Sequence, residues 1–208
     1  MMLETIESRN AALAERLNQK FNSKGVYAIN VMGSPGAGKT SVITGLIKAL
    51  NKPAFVIEGD IESDIDTKKL LDLGIGSYQI NTGGACHLDS PLIEKAFNEN
   101  PVENCFLFIE NIGNLVCPAE FMIGEHMKLL ICSVPEGADK PYKYPLAFEK
   151  AGAIVLNKID LLPYAAFDRD YFEKGVRHLN KTAPIFEISA VKGEGFSGLA
   201  DMISCKRI

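Results

Sequence analysis

Short apolar runs alternate along the chain with longer stretches in which apolar residues recur at helical spacing. Uninterrupted apolar runs of this length are typical of strands that are buried on both faces. Because most of the intervening stretches are long enough for a helix, the pattern predicts an α/β fold: a mostly parallel central sheet of about seven strands with helices on both faces. The predicted strands are Tyr27 to Met32, Ala54 to Glu58, Ser77 to Ile80, Cys105 to Glu110, Lys128 to Val134, Ala153 to Asn157 and Pro184 to Ser189.

The stretch before the first strand has a different pattern. Leu3, Ile6, Leu13 and Leu17 predict an amphipathic helix within residues 1–24. Its apolar side either packs against the core of the domain, which we favour, or forms a surface for a partner. Since no internal repeat, low-complexity tract or Pro/Ser-rich linker divides the chain, we predict one domain over all 208 residues, with this helix appended to it.

The segment after the first strand has the spacing of a phosphate loop: Gly33-Ser34-Pro35-Gly36-Ala37-Gly38-Lys39-Thr40. Apolar residues at helical spacing follow it over Ser41 to Leu50, as this motif requires. The glycines let backbone N–H groups surround the phosphates, Lys39 supplies a positive charge, and the Thr40 hydroxyl is a ligand for Mg²⁺. We therefore predict that a nucleotide triphosphate is bound by these residues: Gly33, Ser34, Gly36, Ala37, Gly38, Lys39, Thr40 and Ser41.

A second motif predicts which base is bound. Asn157-Lys158-Ile159-Asp160 ends the sixth apolar run, where open α/β sheets place ligand contacts. The Asp160 carboxylate can accept from both N1–H and the amino group of guanine, whereas adenine lacks that amino group. Lys158 can lie along the base, Asn157 can reach its edge, and a backbone N–H at Ser189-Ala190 can reach the guanine oxygen. GTP is therefore the predicted nucleotide.

Carboxylates at two predicted strand ends can serve Mg²⁺ and the γ-phosphate. Glu110 ends the fourth run and Gly113 follows it three residues later, the spacing of a switch turn. Asp60 and Asp66 follow the second run and can bind Mg²⁺ or the attacking water, or can cap the next helix. Asn114 stands where a water-orienting glutamine would follow Gly113, so we expect slow hydrolysis. The predicted Mg²⁺ ligands are Thr40, Asp60 and Glu110, and the predicted catalytic residues are Lys39, Thr40, Asp60, Asp66 and Glu110.

A possible metal site lies between these elements. Cys86 and His87 precede a helix start predicted at Ser90, in a loop that we expect to be exposed. A Cys-His pair alone is more often incidental, but Cys117 follows Glu110 by only seven residues and would move with the switch. These three ligands would complete a four-ligand site if a two-fold axis brought a second copy alongside. Thiolate and imidazole ligands suit Zn²⁺, and a planar arrangement suits Ni²⁺, so the chemistry leaves the ion open.

Composition limits the remaining possibilities. The formal net charge of −4 does not indicate the excess of positive charge that binding to nucleic acid or to an anionic membrane requires. No apolar run approaches the roughly 20 residues that span a bilayer, and the N-terminus does not resemble a signal peptide, so we expect a cytoplasmic protein. Cys105 and Cys132 lie inside apolar runs and are predicted to be buried thiols, while Cys205, His126 and His178 have no ligand partner nearby in the sequence.

Taken together, the motifs point to a known family. The segments that carry the likeness are the phosphate loop, Glu58-Gly59-Asp60, Thr82-Gly83-x-x-Cys86-His87-Leu88, Glu110-Asn111-x-Gly113-Asn114-Leu115-Val116-Cys117-Pro118, Ser133-Val134-Pro135-Glu136-Gly137, Lys143-Tyr144-Pro145 and Asn157-Lys158-x-Asp160. From about residue 26 onwards the chain resembles the nickel-insertion GTPases of nickel–iron hydrogenase maturation, the HypB family.

The resemblance implies a P-loop GTPase of the dimerising, signal-recognition-like branch, with GTP-dependent homodimerisation. It also implies a metal site at the dimer interface that uses Cys86, His87 and Cys117. The implied partners are other hydrogenase maturation proteins and the hydrogenase large-subunit precursor. Lys140 and Lys143 fall in a segment that the family uses near the nucleotide and the dimer contact, so either is expected to reach the partner's base.

Two departures from the family pattern bear on function. No cysteine cluster or histidine-rich stretch precedes the phosphate loop, so we expect nickel transfer rather than nickel storage. Urease GTPases carry Cys-Pro-His in the switch region, but Cys117-Pro118 is followed here by Ala119, which favours a hydrogenase client. The alternatives are a GTPase accessory protein for urease or for a cobalamin-dependent mutase, a metal-binding adaptor with structural GTP, and a P-loop small-molecule kinase.

Overall fold

The computed structural model describes residues 2–60 and 65–206, with side chains described there except at positions 2–7, 60, 65 and 66. The strands are β1 (Val26–Gly33), β2 (Ala54–Asp60), β3 (Gly76–Asn81), β4 (Cys105–Glu110), β5 (Met127–Ser133), β6 (Ala153–Asn157) and β7 (Ile185–Ile188). They form one sheet in the order β3-β2-β4-β1-β5-β6-β7, and every neighbouring pair is parallel. The predicted parallel sheet is confirmed.

Two predicted strands end one residue sooner than expected, the seventh at Ile188 instead of Ser189 and the fifth at Ser133 instead of Val134. We predicted that the fifth strand would reach Val134, but β5 ends at Ser133 and a short 3-10 helix covers Val134–Glu136. The Glu136 carboxylate accepts from the Ser133 backbone N–H and hydroxyl, each at 2.9 Å. Because Pro135 has no N–H to donate to a strand ladder, the chain turns at this point.

Helices cover both faces of the sheet. They are α1 (Met2–Ser23), α2 (Lys39–Leu50), α3 (Ile65–Asp72), α4 (Ser90–Glu99), α5 (Cys117–Glu120), α6 (Lys140–Lys143), α7 (Pro145–Lys150), α8 (Arg169–Leu179) and α9 (Phe196–Ser204). Successive side chains of a strand point to opposite faces, so Ile29 packs in the core beneath α2 and α9 while Ala28 packs in the core beneath α1 and α4. Among the described residues, no helix has the length and apolar character needed to cross a membrane.

The N-terminal helix packs against the domain, as we favoured. Leu13, Leu17 and Phe21 of α1 are buried together with sheet residues such as Ile57. The Phe21 ring also meets the Phe97 ring of α4 edge to face, with centroids 4.9 Å apart. The predicted apolar positions 3 and 6 lie among side chains outside the described set. The described part of this helix therefore belongs to the core.

We expect the change Phe21→Ala to lower the free energy of unfolding by about 3–5 kcal/mol, because the ring is fully buried and leaves a cavity. Tyr164→Ala is the control, since that side chain is 86% exposed and its loss should change stability by less than about 0.5 kcal/mol. Urea unfolding of both variants measures the difference. Equal stabilities would mean that α1 does not contribute to the core.

The start of α4 differs in detail from the sequence prediction. We expected Ser90 to cap this helix, but the cap is Asp89, whose carboxylate accepts from the Leu92 N–H at 3.0 Å. The Ser90 hydroxyl instead donates to the carbonyl oxygens of Asn10 and Met122, at 3.2 and 3.1 Å. Because Ser90 is fully buried beneath α1, its hydroxyl is used for tertiary contacts.

Candidate nucleotide and metal site

The phosphate loop joins β1 to α2 at the carboxyl edge of the sheet. Gly36 and Gly38 have φ angles of 75° and 93°, which favour glycine. A Cβ on Gly38 would also lie 2.4 Å from the Asn157 side-chain nitrogen, so a larger residue does not fit there. Lys39 is buried, and its Nζ lies 3.5 Å from the Gly33 carbonyl oxygen. The loop therefore has the shape that phosphate binding requires.

The residues predicted to select guanine lie beside this loop. Asn157 connects two loops, since its Nδ2 donates to the Ala37 carbonyl at 2.9 Å and its Oδ1 accepts from the Ala190 N–H at 3.2 Å. Lys158 Nζ donates to the Gly36 carbonyl at 2.6 Å. Both side chains thus connect the base-binding segment to the phosphate loop, and their contacts with a base stay a prediction.

Asp160 lies in the 3-10 helix Ile159–Tyr164 that follows β6. Its Oδ1 accepts a hydrogen bond from the Ser189 hydroxyl at 2.5 Å. Ser189 is itself fully buried, and its hydroxyl also accepts from the Lys192 N–H. The carboxylate is therefore held in a fixed position by a buried neighbour, and its contact with guanine stays a prediction.

The end of β4 lies against the phosphate loop. Glu110 is buried, and its Oε1 accepts from the Thr40 hydroxyl at 3.0 Å. A Cβ on Gly113 would lie 2.8 Å from Pro35 Cγ, so this glycine is packed directly on the loop. Asn114 pairs with Gly33 in an isolated antiparallel bridge. The segment predicted to sense the γ-phosphate is thus in contact with the loop that would hold it.

Asp60 and Asp66 are at the end of β2 and in the first turn of α3, and their side chains lie outside the described set. Glu58, two residues earlier, is buried and accepts from the Thr67 hydroxyl of α3 at 2.5 Å. That contact ties β2 to α3. The roles predicted for Asp60 and Asp66 stay predictions.

Cys86, His87 and Cys117 come together within one chain, with their ligand atoms all within 4.8 Å of one another. Cys86 Sγ lies 3.3 Å from Cys117 Sγ and 3.4 Å from His87 Nδ1. Cys86 is exposed and the other two are half-buried. The Asn114 side chain donates to the Cys86 carbonyl at 3.3 Å and accepts from the Val116 N–H at 2.8 Å. The loop and the switch segment therefore present one open set of soft ligands.

The neighbours of Cys117 shift the pKa of its thiol. The hydrogen bond with Cys86 raises the pKa of the Cys117 thiol above its usual value, burial adds to the rise, and a hydrogen bond from Asn114 opposes it. Cys117 therefore carries a proton at neutral pH in the absence of a metal ion. A divalent cation would have to displace that proton, so binding would release it to solvent.

The remaining cysteines and histidines are placed as the sequence predicted. Cys105 and Cys132 are buried, and burial raises the pKa of the Cys105 thiol to about 11. Cys205 is exposed at the end of α9. His126 Nδ1 accepts from the Ala28 N–H at 3.0 Å, and burial lowers the pKa of this ring. His178 is exposed on α8. Within the described chain, none of these five belongs to the metal cluster.

Several residues around the site make contacts that no sequence pattern predicts. Asn111 and Phe121 contact the loop that carries Cys86 and His87, and no hydrophobic periodicity in the sequence indicates these contacts. Lys140, expected near a partner's base, donates to the Ser34 hydroxyl at 3.4 Å and pairs with Glu136 at 3.2 Å within its own chain. Lys143 pairs with Asp139. Their contact with a second subunit stays a prediction.

A phosphate loop between the first strand and the helix that follows it, at the carboxyl edge of a parallel sheet, defines a P-loop nucleotide-binding protein. The family described as CobW/HypB/UreG, nucleotide-binding domain, matches residues 27–187. The hydrogenase maturation factor HypB of Escherichia coli K12 is 41% identical over 202 residues, which cover 96% of this chain and 70% of that protein. The chain belongs to the HypB family of hydrogenase maturation factors.

Solved structures agree with this assignment. HypB from Helicobacter pylori, crystallised in complex with nickel, superposes with a TM-score of 0.89 at 34% identity, covering 94% of this chain and 93% of that one. The signal recognition particle receptor FtsY from Elizabethkingia anophelis superposes with a TM-score of 0.55 at 14% identity, over 94% of this chain and 72% of that one. The second likeness shows the fold alone, which is the signal-recognition-like GTPase fold that we expected.

Proposed function

We propose that this protein is a GTPase that couples GTP hydrolysis, to GDP and phosphate, with delivery of nickel to a hydrogenase large-subunit precursor. One observation carries the proposal. Cys117 lies seven residues after Glu110, and the segment between them packs on the phosphate loop at Gly113 and pairs with Gly33 through Asn114. Because Cys117 Sγ is also within 3.3 Å of Cys86 Sγ, a change at the phosphate loop would reach the metal ligands. The nickel complex of the Helicobacter pylori relative supports the choice of cargo.

The nucleotide chemistry is assigned to the residues predicted from the motifs. Lys39 and the loop N–H groups would bind the phosphates, and Gly113 would contact the γ-phosphate. The oxygens of Thr40 and Glu110, 3.0 Å apart, suit Mg²⁺, with Asp60 as a further ligand. When bound, Mg²⁺ would neutralise charge on the phosphates. Asp60 or Asp66 would orient the attacking water, and slow turnover is expected because Asn114 replaces a glutamine.

Among the residues that the structure describes, the metal site of one chain offers three ligands, which is one fewer than a closed tetrahedral site needs. We propose that a GTP-dependent homodimer completes it, as two-fold symmetry would bring a second set alongside. Nickel is the proposed cargo, and zinc is the competing ion for a thiolate–imidazole site. Other hydrogenase maturation proteins would supply or receive the ion, in the cytoplasm and without nucleic acid or membrane. We also propose that residues 1–208 form one GTPase domain with the N-terminal helix appended to it.

The client is proposed to be a hydrogenase rather than urease, because Ala119 follows Cys117-Pro118 where urease GTPases carry histidine. A GTPase for a cobalamin-dependent mutase has no need for the cluster of two thiols and an imidazole. The converging ligands therefore favour the nickel chaperone over that alternative.

Sedimentation combined with equilibrium dialysis tests the coupling. With a GTP analogue and nickel we expect a dimer that holds nickel at a nickel-to-chain ratio of about one half, and with GDP we expect a monomer with weaker binding. Lys39→Ala is the control, because it should remove the response to nucleotide while leaving the three metal ligands intact. Nickel binding and association that are the same with both nucleotides would contradict the proposal. Single-turnover hydrolysis at the buffer rate would favour an adaptor with structural GTP instead.

A further inference from the structure

The three proposed metal ligands are close together although their segments are far apart in the sequence. Cys86 and His87 lie between β3 and α4, and Cys117 starts α5. Gathering three soft ligands within 4.8 Å requires contacts that fix both segments. Those contacts are found behind the cluster, inside the protein.

A chain of four buried polar side chains runs between the two segments; we call it the buried polar chain: Asn111, Asn30, Glu125 and Lys128. At one end, Asn111 Oδ1 accepts from the Leu88 N–H at 3.0 Å, directly after His87. Asn111 Nδ2 donates to Asn30 Oδ1 at 3.2 Å, and Asn30 Nδ2 lies 3.3 Å from Glu125 Oε1. The first half of the chain thus fixes the backbone next to His87 to β1.

The other end of the buried polar chain fixes the segment after Cys117. Lys128 Nζ pairs with Glu125 Oε1 at 3.0 Å and donates to the carbonyl oxygens of Pro118 and Phe121 at 2.8 and 2.6 Å. Both charged side chains are at most 6% exposed. A buried charge that loses its partners is costly. Because Lys128 depends on Glu125 and on the two carbonyl oxygens, these contacts restrain α5 and the residue that follows it.

An aromatic contact joins the two segments directly. The Phe121 ring stacks on the His87 imidazole with centroids 4.6 Å apart and planes 9° apart. Lys128 donates to the Phe121 carbonyl oxygen and so fixes the backbone that carries this ring. With Nδ1 of His87 turned towards Cys86 Sγ, the stack sets the plane in which a metal ion would meet the imidazole.

We propose that Asn111 and Phe121 are positioning residues for the metal ligand His87. Asn111 fixes the backbone beside it and Phe121 fixes the plane of its ring. This inference rests on the proposed metal site of Cys86, His87 and Cys117. Asn111 also follows Glu110 directly, so the same residue links the strand end that contacts Thr40 to the loop that carries His87.

The experiment measures nickel affinity and the absorption spectrum of the Co²⁺-substituted protein. Asn111→Ala and Phe121→Ala should each weaken nickel binding by about tenfold, as loss of an outer partner of a metal ligand does. Their Co²⁺ spectra should shift towards that of His87→Ala, since the imidazole is then held less firmly. A purely structural role would not move the ligand-field bands. Phe121→Leu, which keeps an apolar side chain but loses the flat ring, should resemble Phe121→Ala.

Asn180→Ala is the matched control. Asn180 makes similar side-chain hydrogen bonds to backbone, with Nδ2 donating to the Ala151 carbonyl at 2.8 Å and Oδ1 accepting from the Ala183 N–H at 2.9 Å. These contacts lie near the start of β6, at the opposite edge of the sheet from the cluster. We expect this variant to lose stability but to keep the wild-type nickel affinity and Co²⁺ spectrum.

Wild-type affinity and spectrum in both Asn111→Ala and Phe121→Ala would overturn the inference and leave the metal site standing. If Asn111→Ala does not fold, Phe121→Ala decides alone, because its half-buried ring can be removed without exposing a buried charge. Nickel binding that is equal in the wild type and in His87→Ala would overturn the proposed metal site itself, and the inference with it.

Discussion

Cys117→Ala should weaken nickel binding by more than about a hundredfold, beyond the loss typical of outer partners of a ligand. The change removes one of two thiols whose sulfur atoms lie 3.3 Å apart, so that Cys86 and His87 remain of the three ligands found among the described residues. GTP affinity should stay within about twofold, because Gly113 and Asn114 keep their contacts with the phosphate loop through backbone. Competition with a chelator gives the nickel affinity, and a fluorescent GTP analogue gives the nucleotide affinity.

Cys205→Ala is the control for this experiment. Cys205 is an exposed thiol at the end of α9, and it lies outside the metal cluster. Its loss should leave both affinities unchanged. Nickel affinity that is the same in the wild type and in Cys117→Ala would show that the switch segment carries no ligand, and the proposed link between nucleotide and metal would be abandoned.

Asp160→Asn should reduce GTP affinity by a factor of about 10⁴, because a site built to accept two guanine hydrogens would then face them with a donor. The Ser189 hydroxyl, which donates to Asp160, can still donate to the oxygen of the new amide. Xanthine carries a carbonyl where guanine carries its amino group, so the variant should gain affinity for xanthosine triphosphate. Competition binding with both nucleotides measures the exchange of preference.

Asp168→Asn is the control for base selection. Asp168 caps α8 by accepting from the Tyr171 N–H at 2.9 Å, a role that asparagine also performs well. That variant should keep the preference of the wild type for GTP. An Asp160→Asn protein that still prefers GTP over xanthosine triphosphate would show that another group reads the base.

Much of the fold was predictable because the strands are continuous apolar runs. Every residue of β4, Cys105–Glu110, is buried, and such a run is readable without knowledge of its neighbours. Two details that differed, the end of β5 and the cap of α4, depend on single residues. The chain turns after β5 at Pro135. The Ser90 hydroxyl donates to carbonyl oxygens of α1 and of Met122, so Asp89 caps α4 instead. The contacts of Ser90 are set by tertiary structure, which a local pattern does not contain, whereas the turn at Pro135 arises from neighbouring residues in the sequence.

The three candidate metal ligands could be recognised in the sequence, but the contacts that support them could not. Cys86, His87 and Cys117 are rare, chemically distinct residues that stand out in a sequence, and they converge as expected. The buried polar chain joins Asn30 to Asn111 across 81 positions and to Glu125 across 95, so no spacing rule links its members. Single asparagines near strands usually indicate turns, and only the packed sheet shows that these two side chains are buried and hydrogen-bonded to each other.

The close packing of Gly113 on Pro35 has a consequence for how a signal would leave the phosphate loop. A Cβ on Gly113 would lie 2.8 Å from the proline ring, so no side chain fits between them. The attraction between such touching atoms falls by about a quarter to a half when a gap of about 0.5–1 Å opens, and it does not depend on ionic strength. A displacement of the phosphate loop towards Gly113 would therefore move the segment after β4 by direct steric contact, and salt would not weaken this coupling.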